Sequence, residues 1–357
     1  MGEELRVYMG TTAGLRTLTY RPGKADAVGE FFSDKAVEAI ATDLRRPNVA
    51  FAGLAFDGAY RTQDGGQSWQ RVLEGDVRSL AVDPSDERVV YAGVGPIQLL
   101  RSEDGGTSWE PLDGLLDLSE EARVKWDVPV SVRGKIPPHV RDIFINPDDA
   151  NLLYLALEHG GVVRSRDRGE SWEDVTRGIS YPDMHHLGSY PGSKESMFVS
   201  SARGFFRTDD ASAGWKRTEE GMPWAYTEDQ SYAHDWLYFS GDPPRMLLAG
   251  ANGSPGFWNR PSRAEGVLMI SDDLGESWTQ VTSIPDRMNM MAWALTLHPT
   301  DPDSAFAGMG DQSRGFGFTP GTGGTGAFYV TRDRGDSWEA LISDLPTVLV
   351  IRAVPIA

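Results

Sequence analysis

One octapeptide constrains this chain more than anything else in it. Thr62-Gln-Asp-Gly-Gly-Gln-Ser-Trp69 returns as Ser102-Glu-Asp-Gly-Gly-Thr-Ser-Trp109, Ser165-Arg-Asp-Arg-Gly-Glu-Ser-Trp172, Ser271-Asp-Asp-Leu-Gly-Glu-Ser-Trp278 and Thr331-Arg-Asp-Arg-Gly-Asp-Ser-Trp338. A worn copy, Thr208-Asp-Asp-Ala-Ser-Ala-Gly-Trp215, keeps the Asp and the Trp. A fixed unit of this size points to a repeat architecture, whose members bury their cores only against one another. Each copy reads as a hairpin. The Asp accepts hydrogen bonds from the turn backbone, Gly permits positive φ, and Trp closes the gap between layers. Asp64, Asp104, Asp167, Asp210, Asp273 and Asp333 are therefore read as structural rather than catalytic.

Around each hairpin the same order of short, alternating, β-branched segments recurs. An inner strand such as Val77–Pro84 leads to a turn, then to a strand such as Val89–Gly93. A third strand runs into the octapeptide and a fourth begins at its Trp. Inner strands are expected again at Val37–Thr42, Val140–Pro147, His185–Pro191, His234–Ser240 and Ala292–Pro299. The chain opens on what reads as a second strand, Leu5–Gly10, and finishes on an inner strand, Val350–Ile356. Joining the two completes a further blade and removes the open sheet edges. The expected fold is all-β: one seven-bladed propeller of four-stranded blades spanning residues 1–357, with blade one built from 1–36 and 347–357.

Composition narrows the partners. There are 34 Lys and Arg against 52 Asp and Glu, a formal net charge of −18. Such a field repels polyanions, so neither nucleic acid nor an anionic membrane is an expected partner. Cysteine is absent, which removes disulfides, thiolate metal sites and a cysteine nucleophile. No signal peptide or apolar membrane span is visible, so a cytoplasmic location is the expectation.

Strand order also separates the two faces. Four long insertions, 113–138, 217–233, 251–266 and 310–326, all map to the face where the inner strands begin. Insertions gathered on one side mark a binding surface carried by a rigid scaffold. The first residues of the inner strands should ring the channel mouth there. Aligned, they read Glu38, Arg78, Arg141, His185, Asp235, Trp293 and Arg352, with Asp142, His186, His234 and Trp236 beside them and His139 and Asp183 just upstream. Arginine forks suit carboxylates and indoles suit stacking, so a polar or anionic ligand is expected. Five of the six histidines (His139, His159, His185, His186 and His234) fall on or near this face. Among them His139, His185, His186 and His234 are candidates for a divalent metal, with satisfied polar histidines as the plainer reading. Trp224, Tyr226 and Trp258, with Phe257, Phe316 and Phe318, place aromatics over the mouth. The glycine-rich run 321–326 lacks a following Lys-Ser/Thr and reads as slack rather than as a phosphate loop.

The octapeptides resemble the Asp-box (BNR) pattern shared by sialidases, two-propeller xyloglucanases, sortilin-type receptors and photosystem II assembly propellers. The whole repeat, Val-Arg-x-Ile/Leu-x-Val-Asp-Pro, then Tyr-Ala-Gly, then the box, is most similar to the seven-bladed members. The six-bladed sialidases carry an Arg-Ile-Pro motif that this chain lacks. Two functions follow. The favoured one is a hydrolase or lyase acting on a glycan or small acidic molecule. In it Asp235 or Glu38 serves as acid or base, His185 and His234 assist or hold a metal, and Arg78, Arg141 and Arg352 clamp the ligand with Trp236 and Trp293. The other is a non-catalytic platform whose aromatic loops hold a protein partner.

Overall fold

The computed structural model describes residues 4–123, 126, 137–190, 192–227, 230–255, 258, 264–283, 290–311 and 325–356. Phe257, Phe316, Phe318 and residues 321–324 of the glycine-rich run lie outside them.

Seven four-stranded antiparallel sheets make up the ring. Inner strands are Val348–Pro355, Val37–Thr42, Asp76–Val82, Val140–Ile145, Met184–Gly188, Ser231–Phe239 and Met291–Leu297, for blades one to seven in turn. Each packs against the inner strands of both neighbouring blades, so the circle closes. Closure runs through blade one, where Val348–Pro355 pairs antiparallel with Leu5–Thr11, from Leu5 opposite Pro355 to Thr11 opposite Val348. Residues Val7, Met9, Val348, Ile351 and Phe306 then share one apolar layer, burying both ends of the chain against blade seven.

The local sequence explains this packing. Inner strands are apolar on both faces because they lie between two blades, and Val37–Ala41 is buried at every position. Blades two, three, six and seven carry an Ala-Gly pair on the second strand, and at Gly53, Gly93 and Gly308 it lets the next blade approach closely. A Cβ built on Gly93 would stand 2.6 Å from Val140 of blade four, closer than carbon atoms tolerate. In the hairpins the aspartates fasten the turn. Asp104 Oδ1 accepts the Thr107 and Ser108 backbone N–H groups at 2.8 and 2.9 Å, and Oδ2 accepts the Ser108 hydroxyl at 2.7 Å. Asp64, Asp167, Asp273 and Asp333 accept the same serine N–H and hydroxyl. Asp210 keeps only the Ser212 N–H, at 2.8 Å, because Gly214 replaces the serine.

A further regularity shapes the channel. Every inner strand carries one extra residue against its second strand, a β-bulge at its start. The bulges fall at Glu38, Arg78, Arg141, His185–His186, His234–Asp235, Trp293 and Leu349. In blade one the expected Arg352 is therefore replaced by Leu349. The inner strand starts at Val348, two residues earlier than the sequence pattern indicates. Arg352 sits three residues deeper along the channel.

Candidate functional site

The bulges gather their side chains around a cavity of about 90 Å³ on the ring axis, lined by Glu38, Arg141, His185, Asp235, Trp293 and Arg352 from the expected set. Asp142, His186, His234 and Leu349 complete its polar and apolar walls.

His186 occupies the centre of the polar wall. Its Nδ1 lies 2.6 Å from Asp142 and its Nε2 3.8 Å from Asp235, with a third of the side chain exposed. Burial alone would push its pKa down; the Asp142 and Asp235 carboxylates outweigh that and raise it. The two acids are themselves held by backbone. Asp142 accepts the Ile143 and Leu187 N–H groups at 2.9 and 3.0 Å, and Asp235 accepts those of Trp236 and Leu295 at 2.8 and 2.7 Å. The Leu187 and Leu295 amides belong to the next blade, so each carboxylate also clasps two blades together. Burial raises the Asp235 pKa against the pull of His186, whereas in Asp142 the His186 charge and hydrogen bond overcome burial and lower it.

Two further histidines of the cavity wall, His185 and His234, are held neutral. Burial pushes His185 down to about 3, against its Nδ1 hydrogen bond to the Ala233 carbonyl at 2.6 Å. His234 is also pushed well down by burial, then by His185 and Arg141. Its ring meets Trp293 edge-on at 4.8 Å and lies 5.0 Å from His185.

Several expected mouth residues are spent on the fold. Arg78 is 1% exposed; it forks onto both Glu38 oxygens at 2.8 Å and onto Asp76 at 2.6 and 3.1 Å. That geometry pairs Arg78 with Glu38 across the blade seam, and Glu38 also lines the cavity. Trp236 packs into the layer between blades five and six against Phe198 and Phe205, with its indole N–H on the His186 carbonyl. Trp293 is buried, its N–H bound to the Gly310 carbonyl at 3.1 Å, and Trp258 packs on it at 5.5 Å. Neither offers a stacking face. Tyr226 is 56% exposed and Trp224 half-buried, both on the link between blades five and six. Arg141 retains a reach into the cavity, 3.6 Å from Glu38, and Arg352 is half-buried with one nitrogen on the Ile351 carbonyl.

The four-histidine metal set does not assemble, because His186 belongs to Asp142 and His234 to the aromatic wall. Glu158, Asp183 and His185 come together instead, with one potential ligand atom of each within 4.8 Å of the others. Glu158 was not singled out from sequence; the Glu158-His159-Gly160 turn, on the mouth face of the blade that also supplies His139, was the available signal.

Comparison with known proteins fits this architecture. No family model matches the chain. An oligoxyloglucan-reducing end-specific xyloglucanase of Emericella nidulans is 23% identical over 211 residues, 57% of this chain and 24% of that protein. A probable enzyme of the same name from Neosartorya fischeri is 26% identical over 233 residues, 57% of this chain and 27% of that one. This chain thus spans about a quarter of the length of each. Among solved structures, the GH74 enzyme of Niastella koreensis superposes with a TM-score of 0.60 at 14% identity, over 85% of this chain and 45% of that one. The GH74 xyloglucanase of Xanthomonas campestris gives 0.59 at 18%, over 86% and 45%. YCF48 bound to D1 peptide gives 0.53 at 15%, over 86% and 82%. These likenesses bear on the fold alone, a seven-bladed propeller shared by GH74 enzymes and YCF48.

Proposed function

We propose that this propeller is a hydrolase or lyase acting on a glycan or small molecule that bears an acidic group, bound at the loop-rich mouth of the axial channel. The observation that carries the reading is the axial cavity itself, where Arg141 and Arg352 line the same small space as the Asp142–His186–Asp235 array. Arginine forks suit a carboxylate. His186 is the side chain placed to give or take a proton, oriented by Asp142 and facing Asp235. The xyloglucanase likeness supports the glycan class; the arginines favour an acidic sugar over a neutral glucan. His234, His185 and Asp235 take supporting places as wall and clasp.

Titration calorimetry with glucuronate and with uronate-containing oligosaccharides tests this, alongside neutral xyloglucan oligosaccharides. The expected result is binding of the acidic ligands, weakened at least tenfold by Arg352→Met, and turnover lost in His186→Gln. Tight binding of only the neutral oligosaccharides, or indifference to Arg352→Met, refutes it.

A second reading has its own support. The YCF48 structures match most of both chains, one of them holds a peptide, and the link between blades five and six presents Tyr226 and Trp224. In that reading the protein is a non-catalytic platform for a protein partner, and Tyr226→Ala rather than Arg352→Met abolishes binding.

A further inference from the structure

At the seam between blades four and five, beside the axial cavity, a second cluster has a different chemistry. Glu158 and His159 lie on the turn after Leu153–Leu157, Asp183 and His185 flank the start of Met184–Gly188, and His139 precedes Val140–Ile145. The backbone ties these segments together. Glu158 donates its N–H to the His139 carbonyl at 3.0 Å, Gly161 to Pro182 at 3.0 Å, and Ala202 to Asp183 at 3.0 Å.

The hydrogen bonds also fix which ring nitrogens carry lone pairs. His185 Nδ1 faces the Ala233 carbonyl at 2.6 Å and His139 Nδ1 faces the Pro137 carbonyl at 3.0 Å. A carbonyl only accepts, so each Nδ1 donates, and each Nε2 is left as a base. Ligating histidines are oriented in this way, through the other ring N–H. His139 is 3% exposed, its Nε2 has no hydrogen-bond partner, and it points at Glu158 Oε2 3.9 Å away. A buried lone pair aimed at a carboxylate oxygen is unfavourable unless a proton, a water or a cation stands between them. His159 Nε2 adds a third imidazole, 3.4 Å from Asp183 and 3.8 Å from Glu158.

We propose that Glu158, Asp183 and His185 form a divalent transition-metal site, with His159 and His139 completing or bordering the coordination sphere. The donor set is imidazole and carboxylate without sulfur, which selects Zn²⁺, Mn²⁺ or Fe²⁺ over soft cations, and two carboxylates offset the ion's charge. His185 also lines the axial cavity, so the ion stands in its wall. The site does not depend on the acidic-ligand reading, and either can fail alone.

The test uses the full chain purified without a histidine tag, stripped with chelator and checked for native circular dichroism. Co²⁺ is titrated while its visible bands are followed, and Zn²⁺ and Mn²⁺ by calorimetry. One ion per chain is expected, with affinity reduced at least tenfold in Asp183→Asn and in Glu158→Gln and unchanged in His298→Gln, in the turn after Met291–Leu297. Should Asp183→Asn fail to fold, Glu158→Gln, whose side chain is a quarter exposed, carries the comparison. A folded wild-type protein that takes up none of the three ions overturns the proposal. So does uptake that survives in Glu158→Gln or vanishes in His298→Gln.

Discussion

Replacing Arg78 with Met isolates the interaction on which the channel wall depends. The guanidinium is 1% exposed and makes four hydrogen bonds of 2.6–3.1 Å to Glu38 and Asp76, whose side chains are themselves 1% and 7% exposed. Breaking a buried pair by removing one partner costs about 3–5 kcal/mol, because the orphaned charge stays buried. Arg141, 3.6 Å from Glu38, takes up part of the exposed charge, which places the expected loss near the lower end, about 3 kcal/mol. Asp76 keeps one partner, the Phe56 N–H at 2.8 Å. Urea unfolding at pH 7, followed by tryptophan fluorescence, measures the cost. The double variant Arg78→Met/Glu38→Leu removes one of the stranded carboxylates and should recover about half of it. A cost below about 1 kcal/mol, the scale of a surface ion pair, or a double variant no better than the single one, would refute the view that Arg78 is structural.

Two other outcomes follow from the same wall. His139, His185 and His234 are held neutral, with folded pKa values below the ordinary 6.5. Their contribution to stability is complete above 6.5 and is lost as pH falls toward the folded values, by up to about 1.4 kcal/mol per pH unit for each histidine. Urea midpoints at pH 7 and pH 5 should therefore converge in His234→Gln relative to wild type; identical slopes would contradict the assignment. Deleting 348–357 strips the partner from Leu5–Thr11 and removes Val348, Ile351 and Val354 from the core. The cooperative near-ultraviolet melt should disappear, whereas a melt within a few degrees of wild type would show that the ring does not need this strand.

The propeller was legible because its determinants are local. The Asp turn recurs in six blades, five times in full, and Ala-Gly steps recur on four of the seven second strands. Two strands at opposite ends, each without its neighbours, required one closing blade. The mouth was only half legible. Its residues depend on β-bulges, and a shift of three positions exchanges Arg352 for Leu349 in blade one. Arg78 looked available because Asp76, two residues upstream, and Glu38, in the preceding blade, neutralise it only once adjacent blades pack. Trp293 fills a bulge position where most other blades carry a polar side chain, and Trp236 falls in the register that Ile40, Leu80, Ile143, Leu187, Leu295 and Ile351 fill in the other blades. Glu158 lay outside the aligned column because it comes from a second-to-third-strand turn rather than from an inner strand.

The central claim is that function resides at the axial cavity, and the most direct measurement is where a bound sugar acid sits. A crystal structure with glucuronate should show its carboxylate between Arg141 and Arg352, with His186 within hydrogen-bonding distance of the ligand. Glucuronate found instead on the Trp224–Tyr226 link or on an outer strand, with the axial cavity free of it, would contradict the account.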